Sequence, residues 1–205
     1  PYNFPELIKE ISSRGHEIAS HSWKHEWIPI FKKEQISRSL KRSKLILEKT
    51  LNGNQEVNGF VPPHNRPMSW FRKGAISFGD RGVFPLFKMG DNGKLIKLLN
   101  QNNYKWIRIS HKNIFQKLKF YKKNMTGRIF LYKGMLVLEN HYNGFGNKLA
   151  DHILNTNFKT YTISAHPLMF SFENKLESKE NFEILIKKLK ESNQKIEFIT
   201  PSELL

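Results

Sequence analysis

Apolar positions recur along this chain with two alternating periods. In Phe4–Arg14 (FPELIKEISSR), Leu7, Ile8 and Ile11 form a helical stripe, Pro5 suits a first turn, and Gly15 stops the helix. His16–Ser20 then reads as a short strand. Gln35–Leu51 (QISRSLKRSKLILEKTL) is a second helix with Ile36, Leu40, Leu47 and Leu51 on or near one face, ended by Asn52-Gly53-Asn54. Val57–Val61 is a strand that Pro62-Pro63 closes. A short helix at Met68–Arg72 and a glycine-rich loop at Ser77–Gly93 follow, then a helix at Leu95–Asn102 and a strand at Tyr104–Ile109. Ser110–Gly127 is open between helix and loop. Arg128–Leu131 and Met135–Leu138 read as strands around Lys133-Gly134, and Asn147–Leu154 as a helix. Tyr161–Ser164 is a strand running into His166-Pro167, Asn181–Glu191 an amphipathic helix, Ile196–Thr200 the last strand, and Pro201–Leu204 a short final helix.

Helices and strands therefore alternate, with no internal repeat and no long linker. This rhythm predicts a single α/β domain over residues 1–205 with mostly parallel strands. Three histidines, His21, His64 and His166, fall just after strand ends. The carboxyl ends of strands are where α/β folds build their sites.

Composition narrows the classes. The chain has 205 residues with 39% hydrophobic and 13% aromatic residues, which argues against disorder. It contains no cysteine, which excludes a disulfide scaffold, a Cys-based zinc site and a Cys nucleophile. Lys and Arg number 34 against 18 Asp and Glu, a formal charge of +16. That charge suits an anionic glycan, nucleic acid or a membrane surface. The lysines are spread along the chain, no zinc-finger spacing appears and no RNP-like aromatic pair is present, so nucleic acid is not an expected partner. No apolar run reaches the ~18 residues of a membrane span. No exposed apolar stripe indicates an oligomeric state.

Four residue groups can carry chemistry. His21 and His25 frame His21-Ser22-Trp23-Lys24-His25; on one helical turn this spacing puts both imidazoles on one side, where they can share a cation such as zinc. The alternative is two ordinary structural histidines. Glu17 lies too far back along the strand to be favoured as a further ligand. His166, held at a strand end by Pro167, can act as a general acid or base, or simply cap the strand. His64 sits in Pro62-Pro63-His64-Asn65-Arg66-Pro67, a rigid loop able to present a main-chain donor to an oxyanion, or an ordinary turn. Arg66 can orient a carboxylate, or be solvated. Trp23, Trp27, Trp70 and Trp106 are candidates to line a sugar cleft, with core burial the better reading for Trp106. His111, His141 and His152 are read as structural.

The run Gly15-His16-Glu17-Ile18-Ala19-Ser20-His21-Ser22-Trp23-Lys24-His25 resembles the second motif of the polysaccharide deacetylases, the NodB-homology domains of carbohydrate esterase family 4. Phe60-Val61-Pro62-Pro63-His64-Asn65 resembles the third motif, and Ser164-Ala165-His166-Pro167 the late motif carrying the catalytic acid. Ile196–Leu204 is similar to the family's last strand and helix. The resemblance implies a distorted, incomplete (β/α)7 barrel and a hydrolase that removes N-acetyl, or O-acetyl, groups from a sugar of a polysaccharide or glycan precursor. It implies a divalent metal, Zn2+, on His21, His25 and an aspartate, with His166 as acid and a main-chain N–H near His64 at the oxyanion. The family's first motif, Thr-Phe-Asp-Asp, supplies that aspartate and the base, and it is absent from this sequence. Because the chain starts at Pro1, truncation at the amino terminus is the expected cause. Val61 stands where the family carries an arginine that orients the base; Arg66 is the candidate replacement, and a catalytically impaired glycan-binding relative is the alternative. Asn65 replaces a glycine, and the fourth motif is not clear, with Trp106 its one candidate. The sequence does not fix the compartment; the resemblance favours the cell envelope or another extracytoplasmic place, near a membrane, over the cytoplasm, where some relatives act on glycan precursors.

Overall fold

The computed structural model describes residues 3–26, 28, 31–63, 92–109, 129–146, 148–156, 159–166 and 178–205. The expected helix at 68–72, most of the 77–93 loop and the 110–127 segment lie outside these residues. The chain forms two compact units: Pro1–Asn124 with Phe130–Leu138 and Thr200–Leu205, and Met125–Ile129 with Glu139–Ile199.

The first unit opens with α1 (Pro5–Ser13), whose Ile8 and Ile11 pack on the core while Phe4 and Leu7 stay exposed. Gly15, at φ +85°, ends it in a conformation an L side chain resists. Next, α2 (Lys33–Thr50) starts where the Gln35 side chain accepts the Lys32 N–H at 2.9 Å. Its buried face is Ile36, Ser39, Leu40, Ser43 and Leu47. The apolar members were legible from their spacing; the two serines on the same face were not.

The sheet runs β1 (Gly59–Phe60), β2 (Trp106–Ile109), β4 (Met135–Glu139), β3 (Ile129–Tyr132) in that spatial order. β1 and β2 pair in parallel, Gly59 opposite Trp106 and Phe60 opposite Ile107. α3 (Asn92–Gln101) precedes β2 and begins earlier than expected, taking in Gly93. β3 and β4 form a hairpin, because Lys133 (φ 52°) and Gly134 (φ 74°) both adopt the left-handed values a two-residue turn needs. Phe60, Leu95, Leu99, Tyr104, Ile107, Met135 and Val137 fill the core with α2. Tyr104 donates its hydroxyl to the Leu40 carbonyl at 2.9 Å, and burial pushes its pKa up.

Two expected strands take another form. His16–Ser20 is reduced to a single bridge, Ser20 opposite Phe60. The Gln55 side chain replaces a neighbouring strand: its Oε1 accepts the Ile18 N–H at 2.8 Å and its Nε2 donates to the His16 carbonyl at 3.3 Å. Ile196–Thr200 joins no ladder among the described residues, and Phe198 is 61% exposed. Past it, Pro201–Leu204 is a 3-10 turn closed reciprocally by Thr200 and Glu203. Glu17 holds this turn in the first unit. Its Oε1 accepts Trp106 Nε1–H and the Ser202 hydroxyl, each at 2.7 Å, and its Oε2 accepts the Ser202 N–H at 2.9 Å.

In the second unit, β5 (Tyr142–Asn143) pairs in parallel with β6 (Ile163–Ser164). α4 (Leu149–Leu154) and α5 (Lys179–Lys190) bury Leu149, Ala150, Leu185 and Leu189 together with Phe145. The Ser178 hydroxyl caps α5 by accepting the Asn181 N–H at 3.1 Å. No helix among the described residues is long and apolar enough to cross a membrane.

Gly59 is fixed by space rather than by φ. A Cβ there would stand 1.9 Å from Trp106 Cζ2 and 2.1 Å from its Cε2. Trp106 is 4% exposed and held by Glu17, so it has little room to yield. Gly59→Ala is expected to cost about 1–3 kcal/mol through overpacking, read as a lower denaturant midpoint at unchanged slope.

Candidate functional site

The site begins where the Ser20 bridge ends. Ser20 N–H donates to the Gly59 carbonyl at 2.8 Å and Val61 N–H donates to the Ser20 carbonyl at 2.9 Å. This pair of bonds sets His21 beside Val61. The His21 Nδ1 then lies 2.7 Å from the Val61 carbonyl oxygen. A carbonyl only accepts, so Nδ1 carries the proton and Nε2 the lone pair. Hydrogen bonding at one ring nitrogen is how proteins set tautomer and aim in a metal-ligating histidine.

The His21 and His25 rings lie 4.8 Å apart, edge to face at 67°. A helical turn does not bring them there. Ser22 (φ 69°) and His25 (φ 55°) are left-handed, which a right-handed helix forbids, so a tight irregular turn folds the second imidazole back toward the first. Both histidines are exposed. Together they are a donor set suited to two positions around a borderline divalent cation. Among the described residues no group of three His, Asp or Glu forms a metal-holding cluster.

The turn rests on α2. Ser43 donates to the Ser22 carbonyl at 3.2 Å, and its Oγ is 2.8 Å from the Ser20 hydroxyl. Ser39 accepts the Trp23 N–H at 3.0 Å. Within the turn, Ser22 Oγ accepts the Glu26 N–H at 3.2 Å, and Glu26 Oε2 accepts the Lys24 N–H at 3.0 Å. Burial alone would raise the Glu26 carboxyl; hydrogen bonds from Ser22, the Lys24 N–H and Ser39 together outweigh it and hold the pKa below its ordinary value. Trp23 is half-buried with the Arg42 guanidinium 4.2 Å above its ring, and Trp106 is core, as its strand position indicated.

His64 and Arg66 lie outside the described residues, as do Trp27, Trp70 and His111. His166 belongs to the second unit, two residues beyond β6 at its carboxyl end, and is exposed. His141 serves the packing of that unit. Its Nδ1 accepts the Thr162 N–H at 3.1 Å and its ring stacks on Tyr161 at 4.5 Å. His152 meets the same tyrosine edge-on at 5.8 Å. Four contributors to the turn carry no signal in the sequence pattern: the Val61 carbonyl, which leaves no residue signature, the two serines of α2, and Glu26.

Comparison with known proteins adds the following. Residues 2–81 match the family model described as polysaccharide deacetylase. Over 62 residues the chain is 32% identical to chitin deacetylase 1 of Saccharomyces cerevisiae, a stretch covering 30% of this chain and 20% of that enzyme. Among solved structures it is similar to a Mycobacterium smegmatis protein assigned as a polysaccharide deacetylase, with TM-score 0.62 and 14% identity, over 94% of this chain and 63% of that one. It is also similar to a mutant, with restored enzymatic activity, of a CE4 family pseudoenzyme from Bacillus anthracis, with TM-score 0.51 and 16% identity, over 99% of this chain and 53% of that one. The chain thus spans only part of the length of each relative. These likenesses carry the fold: α/β, with the distorted, incomplete barrel expected from the sequence.

Because Glu26 titrates low in the folded chain, its contribution to stability is present above the ordinary carboxylate pKa and is lost as pH falls through the folded value. Carboxyl-carbon NMR is expected to show Glu26 titrating below the ordinary carboxylate value. Ser39→Ala should move it up toward that value; a Glu26 titration unchanged in that variant would remove Ser39 from the network.

Proposed function

We propose that this chain is a metal-dependent hydrolase of the polysaccharide deacetylase type, one that removes N-acetyl groups from a sugar of a polysaccharide or glycan precursor; the family-model match over residues 2–81 supports the reading. An O-acetyl ester is an alternative substrate for the same machinery. The observation that carries the reading is the His21–His25 pair, 4.8 Å apart with His21 oriented by the Val61 carbonyl. His21 and His25 would hold a divalent cation, Zn2+ in this reading, which when bound supplies Lewis acidity toward the acetyl carbonyl and toward water.

The chain's own residues do the rest. His21 presents Nε2, because its Nδ1 proton is committed to a carbonyl. His25 is turned toward His21 by its left-handed backbone. The attacking water gives its proton to the carboxylate base that the resemblance implies, which this sequence does not carry, as its oxygen bonds the acetyl carbon; protonated His166 then delivers its proton to the leaving amine nitrogen as the C–N bond breaks, giving acetate and a free amino sugar. A main-chain N–H near His64 stabilises the oxyanion, and Arg66 orients the base in place of the arginine that Val61 replaces. The +16 charge suits an anionic glycan at the cell envelope. Val61, and the likeness to a pseudoenzyme fold, also favour a second reading, a catalytically impaired relative that retains glycan binding.

The test is acetate release from N-acetylglucosamine oligomers, before and after chelation and after Zn2+ is returned. The hydrolase reading expects activity lost with chelator and regained with metal. His166→Ala should lower kcat by about 10²–10⁴ with metal content unchanged. Oligomer binding without acetate release in any metal state would establish the impaired relative instead.

A further inference from the structure

Among the described residues, the buried polar side chains are Ser20 (0% exposed), Ser39 (8%) and Ser43 (4%). All three converge beneath the His21–His25 turn. Ser39 and Ser43 are four apart on α2, hence on one face, and that face is otherwise Ile36, Leu40 and Leu47. Alanine at either position would continue the apolar stripe and favour the helix. A buried hydroxyl is tolerated only with its hydrogen bonds made. Both serines bond to the turn: Ser43 to the Ser22 carbonyl and the Ser20 hydroxyl, Ser39 to the Trp23 N–H. A hydroxyl has one proton, and Ser43 gives it to Ser22, so Ser20 is the donor across their 2.8 Å contact.

These bonds fall on residues 20, 22 and 23, on both sides of His21 and on the segment that leads to His25. Residue 22 is one of the two left-handed positions that fold the turn back, and left-handed backbone persists in a serine only when its surroundings over-determine it. We propose that Ser39 and Ser43 are positioning residues: two rungs on one helix face that fix the 20–26 turn and so set the approach of His21 to His25 for a shared divalent cation. This rests on the reading of the pair as metal ligands, and it assigns their supporting shell to α2 rather than to the loops around them.

The experiment titrates Co2+ alone into the full chain and follows d–d absorption. The chains compared are the parent, Ser39→Ala, Ser43→Ala, Ser43→Thr and Lys41→Ala, the last on the exposed face of the same helix. In parallel, side-chain nitrogen NMR without metal reads the His21 tautomer and the ring-to-ring contact. Either alanine variant is expected to fold, to bind Co2+ about 10–100-fold more weakly, and to lose the His21–His25 contact. Ser43→Thr, which keeps the hydroxyl, should bind within a few-fold of the parent, and Lys41→Ala should match it.

Alanine variants that bind as the parent does would overturn the proposal. So would a loss as large in Lys41→Ala, or failure of both alanine variants to fold, which would make the serines structural. If one alanine variant fails to fold, the other decides. A parent that takes up no Co2+ sinks the metal reading and leaves the positioning role to the NMR arm: ring contact retained in the parent and lost in Ser43→Ala sustains it, and contact retained in both ends it.

Discussion

The candidate site depends on one bridge: Ser20 N–H to the Gly59 carbonyl and Val61 N–H to the Ser20 carbonyl. These two bonds dock a segment with little secondary structure of its own onto the edge of β1. Everything around them keeps that edge in place. Phe60 is fully buried against Tyr104, which anchors to the Leu40 carbonyl of α2. Gly59 admits the Trp106 ring of β2, and Trp106 reaches back to Glu17, three residues before the bridge. Glu17 in turn fastens Ser202 at the far end of the sequence. A residue that stood near the motif histidines, and looked like a distant ligand candidate, is thus a structural acceptor of three donors. It closes a ring of contacts from residue 17 through 106 to 202.

How much of this was legible follows from where the information sits. The helices were, because apolar spacing is a side-chain property and burial of Ile36, Leu40 and Leu47 enforces it. The hairpin at Lys133-Gly134 was, because φ > 0 selects its residues. The strand expected at 16–20 is a single bridge, since its alternation is real but its neighbours there are the two ends of one Gln55 amide. No periodicity distinguishes a side-chain partner from a strand. The strand expected at 196–200 joins no ladder among the described residues for a related reason: an apolar run is necessary for a ladder and does not by itself supply a partner.

At the site the split is sharper. The two histidines were legible as a pair, while the geometry that makes them one was not. Their spacing suggested a helical turn, yet left-handed backbone at Ser22 and His25 achieves the approach. The supports are a main-chain carbonyl, two serines whose spacing on α2 is helical but whose polarity hid them from a hydrophobic reading, and a glutamate whose carboxylate closes the turn. Each contributes through hydrogen bonds, which are local in space and not in sequence.

This division bears on what the valine at position 61 changes. An arginine side chain and a valine side chain differ in everything that orients a carboxylate by charge. Their main chains do not differ. The acceptor that fixes the His21 ring is the carbonyl of residue 61, and the donor that secures Ser20 is its N–H, so both survive any side chain compatible with the strand edge. The β-branched valine suits that edge better than a longer residue does. In the proposed reading, then, loss of the arginine weakens the handling of the base and leaves the orientation of the histidines intact. Holding a cation and turning over substrate become separable properties, set by the backbone and by the side chain of the same residue. Impaired catalysis beside an intact histidine pair is therefore, in the proposed reading, a physically coherent outcome of the change at position 61.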